Sequence, residues 1–124
     1  MVLVDTSVWI RAFANRPPYV DELRRLALAG NIVGHEFVYG ELLVGDLGGR
    51  HKLLADYELM PQVPAVPHEE VVHMVRSRDL NGRGAGWIDI HLLASALIAR
   101  TMLWTADANL RAIAQELGIA YKPR

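Results

Sequence analysis

The sequence predicts an α/β fold, a three-layer α/β/α sandwich around a short, mostly parallel central sheet. Three observations carry this expectation. Short apolar runs alternate with helical patterns, helix starts follow the first and last of the clear strands, and one apolar segment around Asp89 is too long for a strand. At 124 residues the chain has the length of one domain, 1–124.

Val2-Leu3-Val4 reads as a buried strand, with Asp5-Thr6-Ser7 after it as a helix start. Ser7 to Ala14 forms a first helix, stopped by Asn15-Arg16-Pro17-Pro18. Tyr19 to Ala29 is a second, since Val20, Leu23, Leu26 and Ala27 share a face and Gly30 suits the position just past its end. Asn31 to Gly34 is a second short strand. A third helix spans about Glu36 to Val44 and a fourth Arg50 to Tyr57. Leu59 to Val66 is extended and punctuated by Pro61 and Pro64. Pro67 fits a first helical turn, so His68 to Arg78 makes a fifth helix. Asp79 to Gly86 is a loop. Trp87 to Arg100 is apolar nearly all round and belongs in the core. Met102 to Thr105 is a strand, Ala108 to Leu117 a helix, and Ile119-Ala120-Tyr121 a last strand.

Composition bounds the function. Hydrophobic residues make up 52% and charged residues 22%, which suits a packed core and argues against disorder. Without cysteine there is no disulfide, thiol nucleophile or cysteine-ligated zinc. The N-terminus lacks a signal-peptide pattern, and no run approaches the ~20 apolar residues of a membrane span, so a soluble cytoplasmic protein is expected. The formal net charge is −1, from 13 Lys+Arg against 14 Asp+Glu, which argues against holding nucleic acid by bulk electrostatics. Any contact with phosphate must rely on local arginines or bound metal.

The chemistry lies in four acids. Asp5 ends a predicted strand and Asp107 comes just after another, each followed by a helix; two parallel neighbours would bring both to one rim, where open α/β sheets place their functional crevice. Glu41 and Asp89 interrupt apolar helices, and carboxylates are rarely buried without a partner or a cation. Taken singly, Asp5 and Asp107 also suit helix N-caps, Asp89 suits the first turn of its helix, and Glu41 suits a polar stripe. Taken together, two after strands and two within apolar helices, they suggest one cluster. Two like charges 4 Å apart repel by about 4 kcal/mol at an effective dielectric of 20. A cluster of four therefore needs a counter-charge or protons. All-oxygen ligation favours a hard ion such as Mg²⁺ or Mn²⁺, which suits phosphodiester hydrolysis.

Val4-Asp5-Thr6-Ser7, Glu41-Leu42-Leu43 with Gly45, Trp87-Ile88-Asp89-Ile90-His91-Leu92-Leu93-Ala94-Ser95-Ala96, and Thr105-Ala106-Asp107-Ala108-Asn109-Leu110 resemble the PIN domain in order and spacing. Over essentially the whole chain the pattern is similar to VapC-type toxins of prokaryotic toxin–antitoxin pairs. The resemblance implies a PIN-like fold and a metal-dependent endoribonuclease. It carries Asp5, Glu41, Asp89 and Asp107 over as the acidic quartet, with Asp5, Asp89 and Asp107 as ligands of Mg²⁺ or Mn²⁺. Glu41 would position metal or the attacking water, Ser7 and Thr105 would orient the first and last aspartates, and Asn109 is a further polar position. The resemblance also implies an RNA substrate, a cognate antitoxin that covers the site, and a homodimer.

Other signals point to less. His68 and His73 are five residues apart, off the spacing of a helical zinc pair, and Gly82, Gly84 and Gly86 follow a helix with no phosphate-loop lysine. Arg76, Arg78 and Arg83 cluster before the Asp89 helix; Arg76 and Arg83 are candidate phosphate contacts, and solvated charges are the plainer account. Trp9, Phe13, Phe37, Tyr39 and Tyr57 suit a core or a subunit contact. Two alternatives stand beside the nuclease: a non-catalytic PIN-like module that binds RNA or protein, and a phosphotransfer domain with Asp5 as acceptor. The second lacks a suitably placed lysine.

Overall fold

The structure, a computed structural model describing all residues Met1–Arg124, is built on three short parallel strands. They are β1 (Val2–Val4), β2 (Ile32–Val33) and β3 (Met102–Trp104), with β1 in the middle. Val2 and Leu3 face Ile32 and Val33 on one side, and Val2 to Val4 face Met102 to Trp104 on the other. Every residue of β1 is buried, so helices cover both faces of the sheet, as a parallel sheet requires.

Seven helices connect and cover the strands: α1 (Thr6–Phe13), α2 (Tyr19–Leu28), α3 (Glu36–Val44), α4 (His51–Leu59), α5 (His68–Ser77), α6 (Trp87–Ala99) and α7 (Ala108–Glu116). α1 and α2 carry the chain from β1 to β2; α3 to α6 carry it back past β1 to β3. The crossovers from β1 and from β2 thus lead to opposite edges, which opens a crevice at the carboxyl end of the sheet. Gly30, at φ +69°, ends α2 in the left-handed conformation that glycine adopts without strain.

The core is continuous. Leu3, Val4, Val8, Val38, Leu92, Leu93, Leu103, Leu110 and Ile113 are almost wholly shielded, each contributing roughly 1.5–3 kcal/mol of hydrophobic stabilisation. Trp9 and Tyr57 join it edge to face, with ring centroids 5.7 Å apart. No helix is long and apolar enough to cross a membrane.

The structure corrects two expectations about elements. α6 is enclosed only from Ile90 to Ala96; Trp87, Ile88 and Ile98 near its ends are exposed, Trp87 being covered only in part by the His68 ring of α5, 5.3 Å away. The expected last strand is a single bridge, Leu103 to Ala120, made by Leu103 N–H to Ile119 O and Tyr121 N–H to Leu103 O, both 2.8 Å. Beyond it the chain leaves the sheet, because the Tyr121 hydroxyl and the Arg124 N–H both donate to Glu22 on α2. Conversely, the segment after α4 adds a bridge, Gly34 to Gln62, at the far edge beside β2.

Candidate active site

Asp5 is the first residue beyond β1 and is buried. Its backbone N–H still donates to Trp104 O at 2.9 Å, so the β1–β3 ladder holds it in place. It occupies the N-cap position of α1, yet its side chain makes no capping bond. Instead Oδ2 accepts from Ser7 Oγ at 2.6 Å and from Thr105 Oγ1 at 2.8 Å. Both bonds fall on one oxygen and leave Oδ1 free of them. Capping therefore does not account for Asp5.

The two hydroxyls also tie down the opposite strand end. Ser7 Oγ accepts from Ala106 N–H, and Thr105 Oγ1 accepts from Asp107 N–H, each at 3.0 Å. Asp107 in turn caps α7, its Oδ1 accepting from Leu110 N–H at 2.9 Å. Asp89 sits in the first turn of α6 and accepts from Gly86 N–H at 3.3 Å. Glu41 is exposed on α3, and Thr6 Oγ1 donates to its Oε1 at 2.7 Å.

The other three carboxylates act on Asp89. Asp89 titrates at about 6, raised first by burial, then by the charge of Asp5, with smaller contributions from Asp107 and Glu41; the Gly86 N–H works against the shift. Charges up to 84 positions away in the chain thus reach Asp89. No three His, Asp or Glu side chains converge tightly enough to cage a bare ion. The donor set does suit a hard divalent cation that keeps much of its water: all ligating atoms are oxygen, Asp5 offers a spare oxygen, and like charges lack a counter-ion.

The remaining candidates lie as follows. Asn109 Nδ2 donates to Gly84 O at 3.4 Å and braces the loop before α6. The Arg83 guanidinium is held by both oxygens of Glu116 on α7, and Arg76 is exposed in the last turn of α5. His35 is fully buried: its Nδ1 accepts from Phe37 N–H at 3.0 Å, and its Nε2 lies 2.9 Å from Ser95 Oγ. Burial, then His91, depresses its pKa to about 4, so it is a neutral structural group. His91, packed edge-on against Trp87 and Phe37, has a buried Nδ1 without a partner.

Three residues escaped the sequence reading. Thr6 supports Glu41 from 35 positions away, and nothing in either segment signals it. Arg11 donates to Ser7 O at 3.0 Å, a contact within reach of the i,i+4 spacing on α1. Arg111 donates to Ala106 O at 3.2 Å from α7, whose start at Asp107 was legible.

The family model described as PIN domain matches residues 2–116. Ribonuclease VapC32 of Mycobacterium tuberculosis, in strains CDC 1551 / Oshkosh and ATCC 25618 / H37Rv, is 40% identical over 121 residues, covering 97% of this chain and 95% of the relative.

Proposed function

Because the chain belongs to the PIN-domain family and is kin to a VapC ribonuclease, we propose that it is a VapC-type toxin, an endoribonuclease that hydrolyses RNA phosphodiester bonds with Mg²⁺ or Mn²⁺. The observation that carries the reading is the shared electrostatic site: Asp5, Asp107 and Glu41 all act on Asp89 from three different elements. A divalent cation bound there supplies neutralising charge and activation of water. Asp5, Asp89 and Asp107 are the residues proposed to hold it. Ser7 and Thr105 keep Asp5 turned so that Oδ1 faces away from its two donors. Glu41, steadied by Thr6, is exposed and free to take a proton from the attacking water. Hydrolysis forms one bond from water oxygen to phosphorus and breaks one from phosphorus to the leaving ribose oxygen.

We place the protein in the cytoplasm with a cognate antitoxin as partner. Exposed Val44 and Ile88 line one groove with Glu41 and Phe37, an apolar flank beside an acid that suits a covering peptide. Exposed Ile98 and Met102 support a homodimer. Arg76 and Arg83 are proposed as outer phosphate contacts, Arg83 only where a phosphate displaces Glu116 from its guanidinium.

The test is cleavage of structured RNA with and without Mg²⁺ or Mn²⁺, beside an Asp5→Asn variant. The expected outcome is metal-dependent cleavage that falls at least 100-fold in the variant, on the order of an essential electrostatic group. A folded, metal-loaded wild type that cuts no RNA would favour the non-catalytic binding module.

A further inference from the structure

Thr105 belongs to two places at once. Its hydroxyl donates to Asp5 Oδ2 at 2.8 Å, and the same residue lines a cleft of about 590 Å³ between the start of α2, α7 and the C-terminal segment. That size falls within the roughly 300–1,000 Å³ of small-molecule sites. The cleft is aromatic: Trp104 is its buried base, Tyr19 stacks on Trp104 at 6.0 Å, and Tyr121 tilts against it at 5.6 Å. Its charged lining residues are Arg111 and Lys122, both exposed, and no carboxylate lines it. Outside the lining, the Arg11 guanidinium lies 5.8 Å from the centre of the Tyr19 ring.

A chain of net charge −1 therefore sets an aromatic, cationic cleft one residue away from Asp5, through Thr105, whose hydroxyl also accepts from the Asp107 N–H. The ligand that fits must have a flat apolar part for the rings and an anionic part for Arg111 and Lys122. It must also be continuous with a phosphate at the carboxylates. We propose that this cleft seats the base and phosphate of an RNA nucleotide next to the scissile bond, a refinement that rests on the nuclease reading above. Rings bind any base through its π-face, cations bind the backbone, and the Gln115 amide on the rim can pair with a base edge. A base reaches such a cleft only when it is out of a helix, so the substrate is an unpaired segment or loop.

The experiment measures two things on the full chain: the Kd of a labelled single-stranded RNA in EDTA, and cleavage of the same RNA with Mg²⁺ or Mn²⁺. The variants are Arg111→Glu with Lys122→Glu, Lys122→Glu alone because Arg111 also donates to Ala106 O, and Tyr19→Leu. Lys52→Glu with Arg24→Glu matches the charge change elsewhere on the surface. The expected result is a Kd raised about tenfold or more in the cleft variants and much less in the control, with a smaller effect on a duplex of the same sequence. If wild type cleaves and the cleft variants bind as wild type does, the cleft proposal falls and the nuclease reading stands. If binding depends on the cleft but nothing is cleaved, the cleft binds RNA, and its placement beside a scissile bond is overturned together with the nuclease reading. If cleft variants and the charge-matched control weaken equally, binding is bulk electrostatics and the cleft proposal is overturned.

Discussion

Asp5 concentrates the residue-scale physics. A buried carboxylate that caps no helix and accepts two hydroxyls on one oxygen is held for its other oxygen. Ser7 does double work, donating to Asp5 and accepting from Ala106 N–H. Ser7→Ala removes both contacts. Supporting groups of this kind cost roughly 10–100-fold in metal affinity or activity when removed. We expect kcat to fall in that range while KM changes little, with a stability loss of about 1 kcal/mol from the orphaned N–H. Steady-state cleavage and a thermal melt of the variant check both, and an unchanged kcat would remove Ser7 from the machinery. That Asp5 and Ser7 stand in one helix start was legible in the sequence. That Thr105 serves Asp5 as much as Asp107 was not, since the bond spans 100 positions.

At the scale of elements, two buried polar groups make the structure sensitive to acid. Glu22 on α2 clamps the C-terminal segment; the Arg25 guanidinium foremost, with the Tyr121 hydroxyl and the Arg124 N–H, holds its pKa down to about 2 against the opposing effect of burial. A carboxylate whose folded pKa is depressed contributes stability above its unfolded value of 4.5 and loses it as pH falls toward 2. Glu22→Gln should cost on the order of 2 kcal/mol at pH 7, allowing for the partly exposed arginine, and the difference from wild type should vanish near pH 2. Denaturant melts across that range measure it; a gap that persists at pH 2 would assign the effect to packing. His35 acts in an earlier window. Its neutral ring caps α3 through Nδ1, so stability is lost as pH falls from 6.5 toward 4. Helices were readable by pattern, and the span Glu36–Val44 was anticipated to the residue. The last strand was not, because the pull of Glu22 on the chain end is a tertiary contact.

For the whole molecule, the cost of gathering four acids appears as stability. Without a cation, Asp5, Asp107 and Glu41 oppose ionisation of Asp89. Asp89→Asn should therefore raise the metal-free thermal midpoint by a few degrees, about 1 kcal/mol after screening. Mg²⁺ or Mn²⁺ at about 100 times its Kd should stabilise wild type by roughly 2.7 kcal/mol and the variant much less. Melts with EDTA and with added cation test both, and an equal response in the two proteins would place the cation elsewhere. The sequence by itself determined the alternation of elements, the identity of the four acids and the absence of thiol chemistry, because these depend on local pattern and residue type. Only the tertiary structure decided that two hydroxyls converge on Asp5, that Thr6 supports Glu41, that Arg83 is engaged by Glu116, and that rings from α2, β3 and the C-terminal segment wall a cationic cleft. Those relations are distances between segments far apart in the chain, and only packing of the core brings the segments together.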